Sequence, residues 1–191
     1  MGRKEIKKQR LTKKQQRERT RQLIKYMAPL FWAFVTWFAL ISLIHTPWLR
    51  DVTREFFVGF TTHAAYWFGR VLFIPVEMYS VPFLSVKGFN MQVVMECTAY
   101  NFYLFALVLT LFARWPLRHK ISSLAIFLVV IFILNNMRFI TMGYLGNFRP
   151  DLFDAVHDYV WNILFGFMVF GIWAWREVMA QEMTKKQEVP S

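Results

Sequence analysis

Long runs of residues without a formal charge constrain this chain more than any other feature of its sequence. Residues 26–49 contain no Asp, Glu, Lys or Arg over 24 positions. A helix needs about 20 predominantly apolar residues to cross the ~30 Å hydrocarbon core of a bilayer. Further apolar blocks follow at residues 97–113, 121–145 and 157–175. We therefore predict an all-α polytopic membrane protein with about four transmembrane helices, spanning about 26–49, 97–113, 121–145 and 157–175.

The net charge of +11 is concentrated in one short segment. Residues 1–25 hold eleven Lys or Arg side chains against only Glu5 and Glu18, so the rest of the chain is almost neutral. A basic segment just before the first span is what the positive-inside rule predicts for a cytoplasmic N-terminus, and such a segment also attracts anionic lipid. We expect residues 1–25 to form a basic cytoplasmic arm near anionic lipids of the bilayer, and we expect no nucleic acid partner.

The remaining basic residues predict the orientation of the later spans. They fall in the loop between the second and third apolar blocks and after the fourth block: Arg114, Arg118, Lys120, Arg176, Lys185 and Lys186. Four spans with cytoplasmic N- and C-termini put all of them on the cytoplasmic side. The predicted domains are the arm, an integral membrane catalytic domain at 26–176 and a cytoplasmic tail at 177–191. The predicted location is the cytoplasmic (inner) membrane.

Two segments between the first and second spans have other patterns. Residues 50–75 alternate charged and aromatic residues at helical spacing, which predicts an amphipathic helix at the outer interface, with a tilted or re-entrant span as the alternative. Residues 80–94 then read as two short extended pieces around Lys87-Gly88, which predicts a small hairpin over the membrane surface.

Three polar residues share one depth in this topology. Cys97 lies 17 residues before Arg114, Arg138 lies 18 residues after Lys120, and His157 lies 19 residues before Arg176. At ~1.5 Å of helical rise per residue, all three lie ~25 to 28 Å from the cytoplasmic ends of their helices. In a ~30 Å core they reach the outer rim, facing the periplasm or the cell exterior.

The chemistry of these residues suits acyl transfer. A thiolate is a nucleophile, an imidazole donates a proton to a departing amine, and a guanidinium stabilises the developing oxyanion. Cys97 is the single cysteine of the chain, which excludes a disulfide framework within it and any cysteine cluster for a metal. We therefore predict Cys97, Arg138 and His157 as catalytic residues, and we expect no metal and no cofactor.

Neighbouring polar residues are candidate supporting or substrate-binding groups: Asn101, Asn135, Glu96 and Asp158. Asn135 lies one helical turn before Arg138 and is predicted to hold its guanidinium, while Asn101, one turn after Cys97, is predicted to contact a substrate carbonyl. Interhelical hydrogen bonding is the alternative role for both. His45 and His63 also fall near the outer rim and stay open as substitute bases, whereas His119 is predicted to belong to the positive cytoplasmic loop.

Each catalytic candidate also has a plain structural interpretation. A lone cysteine near a helix end is commonly a small buried hydrophobe, an arginine there commonly reaches the headgroups, and His157 beside Asp158 suits an interface. The coincidence of all three at one depth favours the catalytic interpretation.

The sequence resembles the exosortase and archaeosortase group of membrane cysteine transpeptidases. The resemblance rests on Glu96-Cys97-Thr98-Ala99 opening a helix, on Asn135-Asn-Met-Arg138 closing the next span and on His157 opening the last. It covers roughly residues 86–167, and the chain is similar to short members of the exosortase H type. Where the family often has glycine two residues after the cysteine, this chain has Ala99.

The resemblance implies a triad of Cys97, Arg138 and His157. It also implies that the substrates are secreted proteins ending in a C-terminal sorting signal, made of a short motif, one transmembrane helix and a basic cluster. Cleavage would pass through a thioester on Cys97, with transfer to an acceptor or hydrolysis as the outcome. The alternatives are a non-catalytic membrane scaffold subunit of an export or polysaccharide system, and a channel or transporter. The channel or transporter is disfavoured because the polar residues cluster at one rim and do not run through the midplane of the bilayer.

Overall fold

The computed structural model describes residues 13–188. The elements in chain order are α1 (Lys13–Ile44), α2 (Pro47–Val71), β1 (Val76–Ser80), β2 (Phe83–Val86), β3 (Phe89–Gln92), a 3₁₀ turn (Met95–Thr98), α3 (Tyr100–Phe112), α4 (Leu117–Phe148), a 3₁₀ turn (Pro150–Leu152), α5 (Phe153–Ala155), a π-helical turn (Val156–Val160) and α6 (Trp161–Glu188). The first 12 residues of the predicted basic arm and the last three of the predicted tail lie outside the described residues.

Among residues 13–188, three helical segments are long and apolar enough to cross a bilayer: Met27–Ile44, Leu117–Phe148 and Pro150–Met183. The protein is therefore a mostly helical membrane protein. The prediction for residues 97–113 needs correction, because Cys97 lies in the 3₁₀ turn and α3 begins only at Tyr100. With 13 residues, α3 is ~20 Å long, which is short for a ~30 Å core. Four spans with both termini on one side stay a prediction.

The helix expected at residues 50–75 is present as α2. It starts with Pro47 at its first turn, where a missing N–H costs no helical hydrogen bond. Its buried residues recur at helical spacing: Val58, Thr61, Thr62, Ala65 and Gly69. Bulky residues such as Phe56, Phe60 and Trp67 are exposed on the other side. Within the described residues α2 is not one of the three candidate spans, and its position at the interface stays a prediction.

A three-stranded antiparallel sheet with the order β1-β2-β3 connects α2 to the turn that carries Cys97. The predicted hairpin is present as β2 and β3. Lys87 and Gly88 join them with φ values of 54° and 88°, the backbone of a two-residue type I′ turn. The prediction missed β1, whose five residues are too few for a clear alternation to stand out.

Two glycines of α4 let the hairpin lie directly on that helix. A Cβ added at Gly143 would come within 2.3 Å of the Val86 side chain, and one added at Gly146 within 2.4 Å of the Phe89 ring. The Asn147 amide donates to the carbonyl oxygens of Val86 and Lys87, both at 3.3 Å. The sheet is therefore held against the C-terminal end of α4, within a few turns of Arg138.

Two hydrophobic clusters meet at the turn that precedes α3. One joins α2, the sheet and the C-terminal part of α4, and it includes the Cys97 side chain. The other packs α1, α3, α4 and α6 around Phe127, Ile131 and Phe165, and it includes Ala99. The turn is fixed from both sides, which limits how far Cys97 can move.

His119 does not lie in the basic loop, contrary to the prediction, but in α4. It is buried near the start of α4, its Nε2–H donates to the Arg176 carbonyl oxygen at 2.9 Å, and its Nδ1 accepts from Arg176 Nη2 at 2.9 Å. Arg176 Nε also donates to Ser123 Oγ at 2.8 Å. A buried charge requires such partners, and here they join α6 to α4.

Candidate active site

Cys97 lies in the 3₁₀ turn between the sheet and α3. Its side chain is buried, and its N–H donates to the Val94 carbonyl oxygen at 2.9 Å. Ala99 ends the turn in the left-handed conformation, with φ 54° and ψ 16°, before α3 starts at Tyr100. This left-handed residue separates the 3₁₀ turn that carries Cys97 from α3. It also explains the glycine that the resembling family often has at this position, since glycine adopts positive φ without steric cost.

Substitutions at Ala99 should change stability in a direction set by this φ value. We expect Ala99→Gly to stabilise the protein by up to ~1 kcal/mol, because the left-handed region costs an L-residue roughly 1–2 kcal/mol and the lost methyl offsets ~0.8 kcal/mol. Ala99→Val should destabilise it by ~2 kcal/mol or more, because a β-branched side chain crowds a positive φ. Thermal unfolding of the purified protein in detergent measures both.

Ala106 provides the control for this prediction. It is fully buried inside α3, where the backbone is helical, so Ala106→Gly should destabilise the protein by ~2 kcal/mol through lost helix propensity and the lost buried methyl. If Ala99→Gly lowers the unfolding temperature as much as Ala106→Gly does, backbone strain at Ala99 is not significant.

Arg138 extends from α4 toward the same place. The residue is only 3% exposed, so its guanidinium needs internal partners. Its Nη2 donates to His157 Nε2 at 2.9 Å and to the His157 carbonyl oxygen at 3.1 Å. Its Nε is buried and has no partner among the described residues. One N–H group of Arg138 is thus unused in this arrangement.

His157 connects the other two residues. It lies in the π-helical turn Val156–Val160, a widened helical turn of the kind that is frequent at functional sites. Its Nε2 is 3.3 Å from Cys97 Sγ, and its Nδ1 is 2.8 Å from Asp158 Oδ1. The Phe153 ring stacks on the imidazole with 5.9 Å between centroids and 5° between planes. The ring is therefore oriented by hydrogen bonds at both nitrogens and by a stacked aromatic face.

These contacts define the tautomer of His157. A guanidinium can only donate, so His157 Nε2 presents its lone pair to Arg138 Nη2. The ring proton then sits on Nδ1 and is donated to the Asp158 carboxylate. The Cys97 thiol, at 3.3 Å from the same Nε2, donates to it as well. Nε2 is thus positioned to take the thiol proton, and Asp158 is positioned to stabilise the imidazolium that results.

The pKa of the Cys97 thiol lies below its ordinary value. Burial acts in the opposite direction and raises this pKa, but the hydrogen bond with His157 lowers it, as do a backbone hydrogen bond at Val94 and the electrostatic influence of His157 and Arg138. Cys97 lies in the turn before α3, outside the three candidate spans. A lower pKa increases the thiolate fraction at neutral pH and makes the sulfur a better nucleophile.

A cavity of about 340 Å³ opens over these groups. Its lining contains Cys97, Arg138 and His157, and all four residues of β3. The rest of the lining is Val94, Phe139, Met142, Phe153 and Asp154. Apolar walls around a few convergent polar groups are typical of a substrate site. Its size suits a few peptide residues more than a small ion.

The predicted supporting residues fall into two groups. Asp158 contacts His157, as described above. Asn135 does not hold the Arg138 guanidinium, because its buried Oδ1 has no hydrogen-bond partner among residues 13–188. Asn101 does not line the cavity either: its Oδ1 accepts from the Phe102 N–H at 3.0 Å, which satisfies the first turn of α3. Glu96 is exposed and also lies outside the cavity lining.

His45, one of the two histidines considered as substitute bases, has partners elsewhere. Its Nδ1–H donates to the Ile41 carbonyl oxygen at 2.8 Å, and its Nε2 accepts from the Tyr100 hydroxyl at 3.4 Å. His63 is exposed on α2 and is not part of the cavity lining. The histidine beside the thiol is His157.

Sequence reasoning missed the contribution of β3 and of Phe153 to the cavity. Phe153 precedes His157 by four residues, a spacing that brings side chains together on a helix, so this signal was present in the sequence. The contribution of β3 depends on how the hairpin packs on α4, and no local pattern reveals that. Among residues 13–188, no group of three or more His, Cys, Asp or Glu side chains could hold a metal ion.

One comparison with known proteins gives a match. The family model of the transmembrane exosortases matches residues 17–175 of the 191. Among curated proteins and among solved structures nothing matches the chain. The matched range includes the turn with Cys97, the whole of α4 and the π-helical turn, and the family has a membrane transpeptidase-type role. By its match over most of its length, the chain belongs to the transmembrane exosortase family.

Proposed function

We propose that this exosortase is a membrane cysteine protease or transpeptidase that cleaves the C-terminal sorting signal of secreted proteins at the outer face of the cytoplasmic membrane. The observation that supports this proposal most strongly is the sharing of one atom, His157 Nε2, by Cys97 Sγ at 3.3 Å and Arg138 Nη2 at 2.9 Å. An inert buried thiol needs neither a base nor a guanidinium beside it.

The reaction begins with a proton transfer. Cys97 Sγ–H gives its proton to His157 Nε2, and the thiolate attacks the scissile carbonyl carbon, so that a C–S bond forms and the carbonyl π electrons move onto oxygen. Once Nε2 carries a proton it no longer accepts from Arg138, whose N–H groups then turn to the new oxyanion. The unpartnered Nε of Arg138 is an additional donor for this oxygen.

The second step releases the membrane-anchored tail. The tetrahedral intermediate collapses as the C–N bond breaks, and His157 Nε2–H gives its proton to the departing amine. The product is an acyl thioester on Cys97. An acceptor amine or hydroxyl then attacks the thioester, with His157 as the base, and restores the thiol. Water in the role of the acceptor gives hydrolysis instead of transfer.

An apolar groove supports a substrate that reaches the site from within the bilayer. It has a volume of about 450 Å³ and is lined by residues of α2, α3 and α4, among them Phe60, Tyr103 and Phe132. It also includes Thr98, the chain neighbour of Cys97. In our proposal the side chains of the tail's transmembrane helix occupy this groove, with the tail's basic cluster on the same side as the basic arm of the enzyme, near anionic lipid.

The thioester provides the test of this function. Membranes containing the enzyme are mixed with a reporter protein that ends in a short extramembrane segment, one transmembrane helix and a basic cluster, taken from a protein encoded in the same genome. Neutral hydroxylamine should intercept the thioester and give a released reporter with a C-terminal hydroxamate, which mass spectrometry distinguishes from the acid. Membranes without the enzyme serve as the control. Release of the acid alone, unaffected by hydroxylamine, contradicts the thioester, and an uncut reporter favours the scaffold alternative.

A further inference from the structure

The strand β3 has a partner on only one side. The order β1-β2-β3 makes it an edge strand, paired with β2 alone within the described residues. An edge strand presents a row of backbone N–H and C=O groups that can pair with another extended chain. Proteins that recognise peptides often use such an edge, where main-chain hydrogen bonds provide affinity and alternate side chains provide specificity.

The register identifies which backbone groups of β3 are available. The Val93 N–H donates to the Pro82 carbonyl oxygen at 2.9 Å, so this residue points toward β2. In antiparallel strands the backbone N–H and C=O groups of successive residues point alternately toward and away from the neighbouring strand. Met91 and Phe89 lie two and four residues before Val93, opposite Leu84 and Val86, so their backbone groups point the same way as those of Val93. Met91 and Phe89 therefore bond to β2. The backbone groups of Asn90 and Gln92 point to the free edge.

The free edge faces the candidate active site. All four residues from Phe89 to Gln92 line the cavity that contains Cys97. Because successive side chains of a strand point to opposite faces of the sheet, a cavity bordered by all four must run along the edge of β3. Phe153 and His157 line the same cavity, and the Phe153 ring contacts the Phe89 ring with 5.4 Å between centroids. The volume of about 340 Å³ accommodates a few residues of an extended peptide, which would pair with the edge strand at a spacing of ~4.8 Å.

We propose that the substrate segment carrying the scissile bond binds as an added β-strand along the free edge of β3, hydrogen-bonded to the backbone N–H and C=O groups of Asn90 and Gln92. This inference rests on the proposed function, since it concerns the substrate of that same site. It specifies the ligand as an extended peptide whose side chains alternate between two environments. One set meets the buried side of Met91 and Phe139, and the other meets the exposed amides of Asn90 and Gln92.

Proline substitutions test the backbone pairing through cleavage. Gln92→Pro removes the backbone N–H that points to the free edge. It leaves the hydrogen bonds of the hairpin intact, and proline is tolerated at such edge positions. Cleavage of the tailed reporter should fall at least ~10-fold, since a buried main-chain hydrogen bond and close approach are both lost. Gln92→Ala keeps the N–H, so the difference between the two variants reports the backbone group. Alkylation of Cys97 should stay at the wild-type rate in both.

The opposite edge of the same sheet offers the matched control. The backbone N–H and C=O groups of Glu77 point toward its partner Ser85 on β2. The N–H of the next residue, Met78, therefore points outward from β1. Met78→Pro makes the same chemical change away from the cavity lining, and it should reduce cleavage much less than Gln92→Pro. Equal losses in the two proline variants would overturn the proposal, as would a Gln92→Pro enzyme that cleaves like Gln92→Ala.

Disulfide trapping tests the same pairing without catalysis. In a Cys97→Ala background, Gln92→Cys becomes the one thiol of the enzyme, and a single cysteine is scanned along the extramembrane segment of the reporter. Cross-links should appear at every second position. Cross-links without this alternation, or none, overturn the added strand whether or not the wild-type enzyme cleaves. Alternating cross-links with an uncut reporter would instead contradict the proposed function alone.

Discussion

Cys97→Ala should lower cleavage of the tailed reporter by at least ~10³-fold, since removal of a covalent nucleophile leaves only substrate binding and oxyanion stabilisation. Cys97→Ser should lose nearly as much. A serine hydroxyl is a far weaker acid than the thiol, whose pKa here lies below its ordinary value, and the neutral hydroxyl is a poor nucleophile. The measurement is the initial rate of reporter release at matched amounts of enzyme in the membrane.

Substitution of His45 provides a control for this experiment. His45 contacts Tyr100 and lies outside the cavity lining. The cleavage rate of His45→Ala should therefore stay within a few-fold of the wild-type rate. Full cleavage by Cys97→Ala would exclude the thioester mechanism and favour a scaffold role. A loss of cleavage in Cys97→Ala, with the reporter still forming a disulfide to Gln92→Cys in the same background, would separate chemistry from binding.

The grouping of the three candidate residues could be predicted from the sequence because a helix has a fixed rise per residue, so sequence separation gives depth in the membrane. Counting from Arg114, Lys120 and Arg176 gave Cys97, Arg138 and His157 a common level, and the structure brings their side chains into contact. Their catalytic roles stay predictions. The departure at Ala99 was also visible in the sequence, and its φ of 54° explains why glycine suits that position.

Side-chain partners were harder to predict than depth. Asn135 lies one turn before Arg138, yet the guanidinium extends to His157 on another element, where two acceptors are available. His119 lies in a basic sequence, yet it is buried because Arg176 from α6 needs acceptors near the start of α4. In both cases a contact between distant parts of the chain decides the outcome, Arg138 with His157 and Arg176 with His119. A single sequence does not contain that pairing.

The sheet was the least predictable part of the site. The turn at Lys87-Gly88 predicts a hairpin, but nothing in the hairpin itself says where it packs. Gly143 and Gly146 provide the docking surface on α4, since a side chain at either would collide with Val86 or Phe89. Within an apolar helix these glycines look like ordinary membrane-helix residues. Only their contact with β2 and β3 reveals that they place the free edge of β3 beside the thiol.

Arg138→Lys should lower kcat for reporter cleavage by ~10²-fold or more and change KM little. Removal of one oxyanion donor typically costs 10²–10³ in kcat. A lysine side chain is shorter than arginine and ends in a compact ammonium group, which cannot reproduce the planar arrangement of guanidinium N–H groups. In the wild type one nitrogen, Nη2, serves both His157 Nε2 and the His157 carbonyl oxygen while Nε stays unpaired. A lysine ammonium has all its N–H groups on one nitrogen, so it cannot bond the His157 carbonyl oxygen and also place a donor at the position of Nε.

Arg176 separates this catalytic effect from the general cost of replacing a buried arginine. Both arginines are at least nine-tenths buried, and each donates to a histidine ring nitrogen at 2.9 Å, Arg138 to His157 and Arg176 to His119. Arg176→Lys should therefore lower the unfolding temperature in detergent, while kcat per folded molecule stays near the wild-type value. Arg138→Lys should lower kcat even where the folded fraction is unchanged. Parallel losses of folded protein and activity in both variants would instead mean that Arg138, like Arg176, only joins helices.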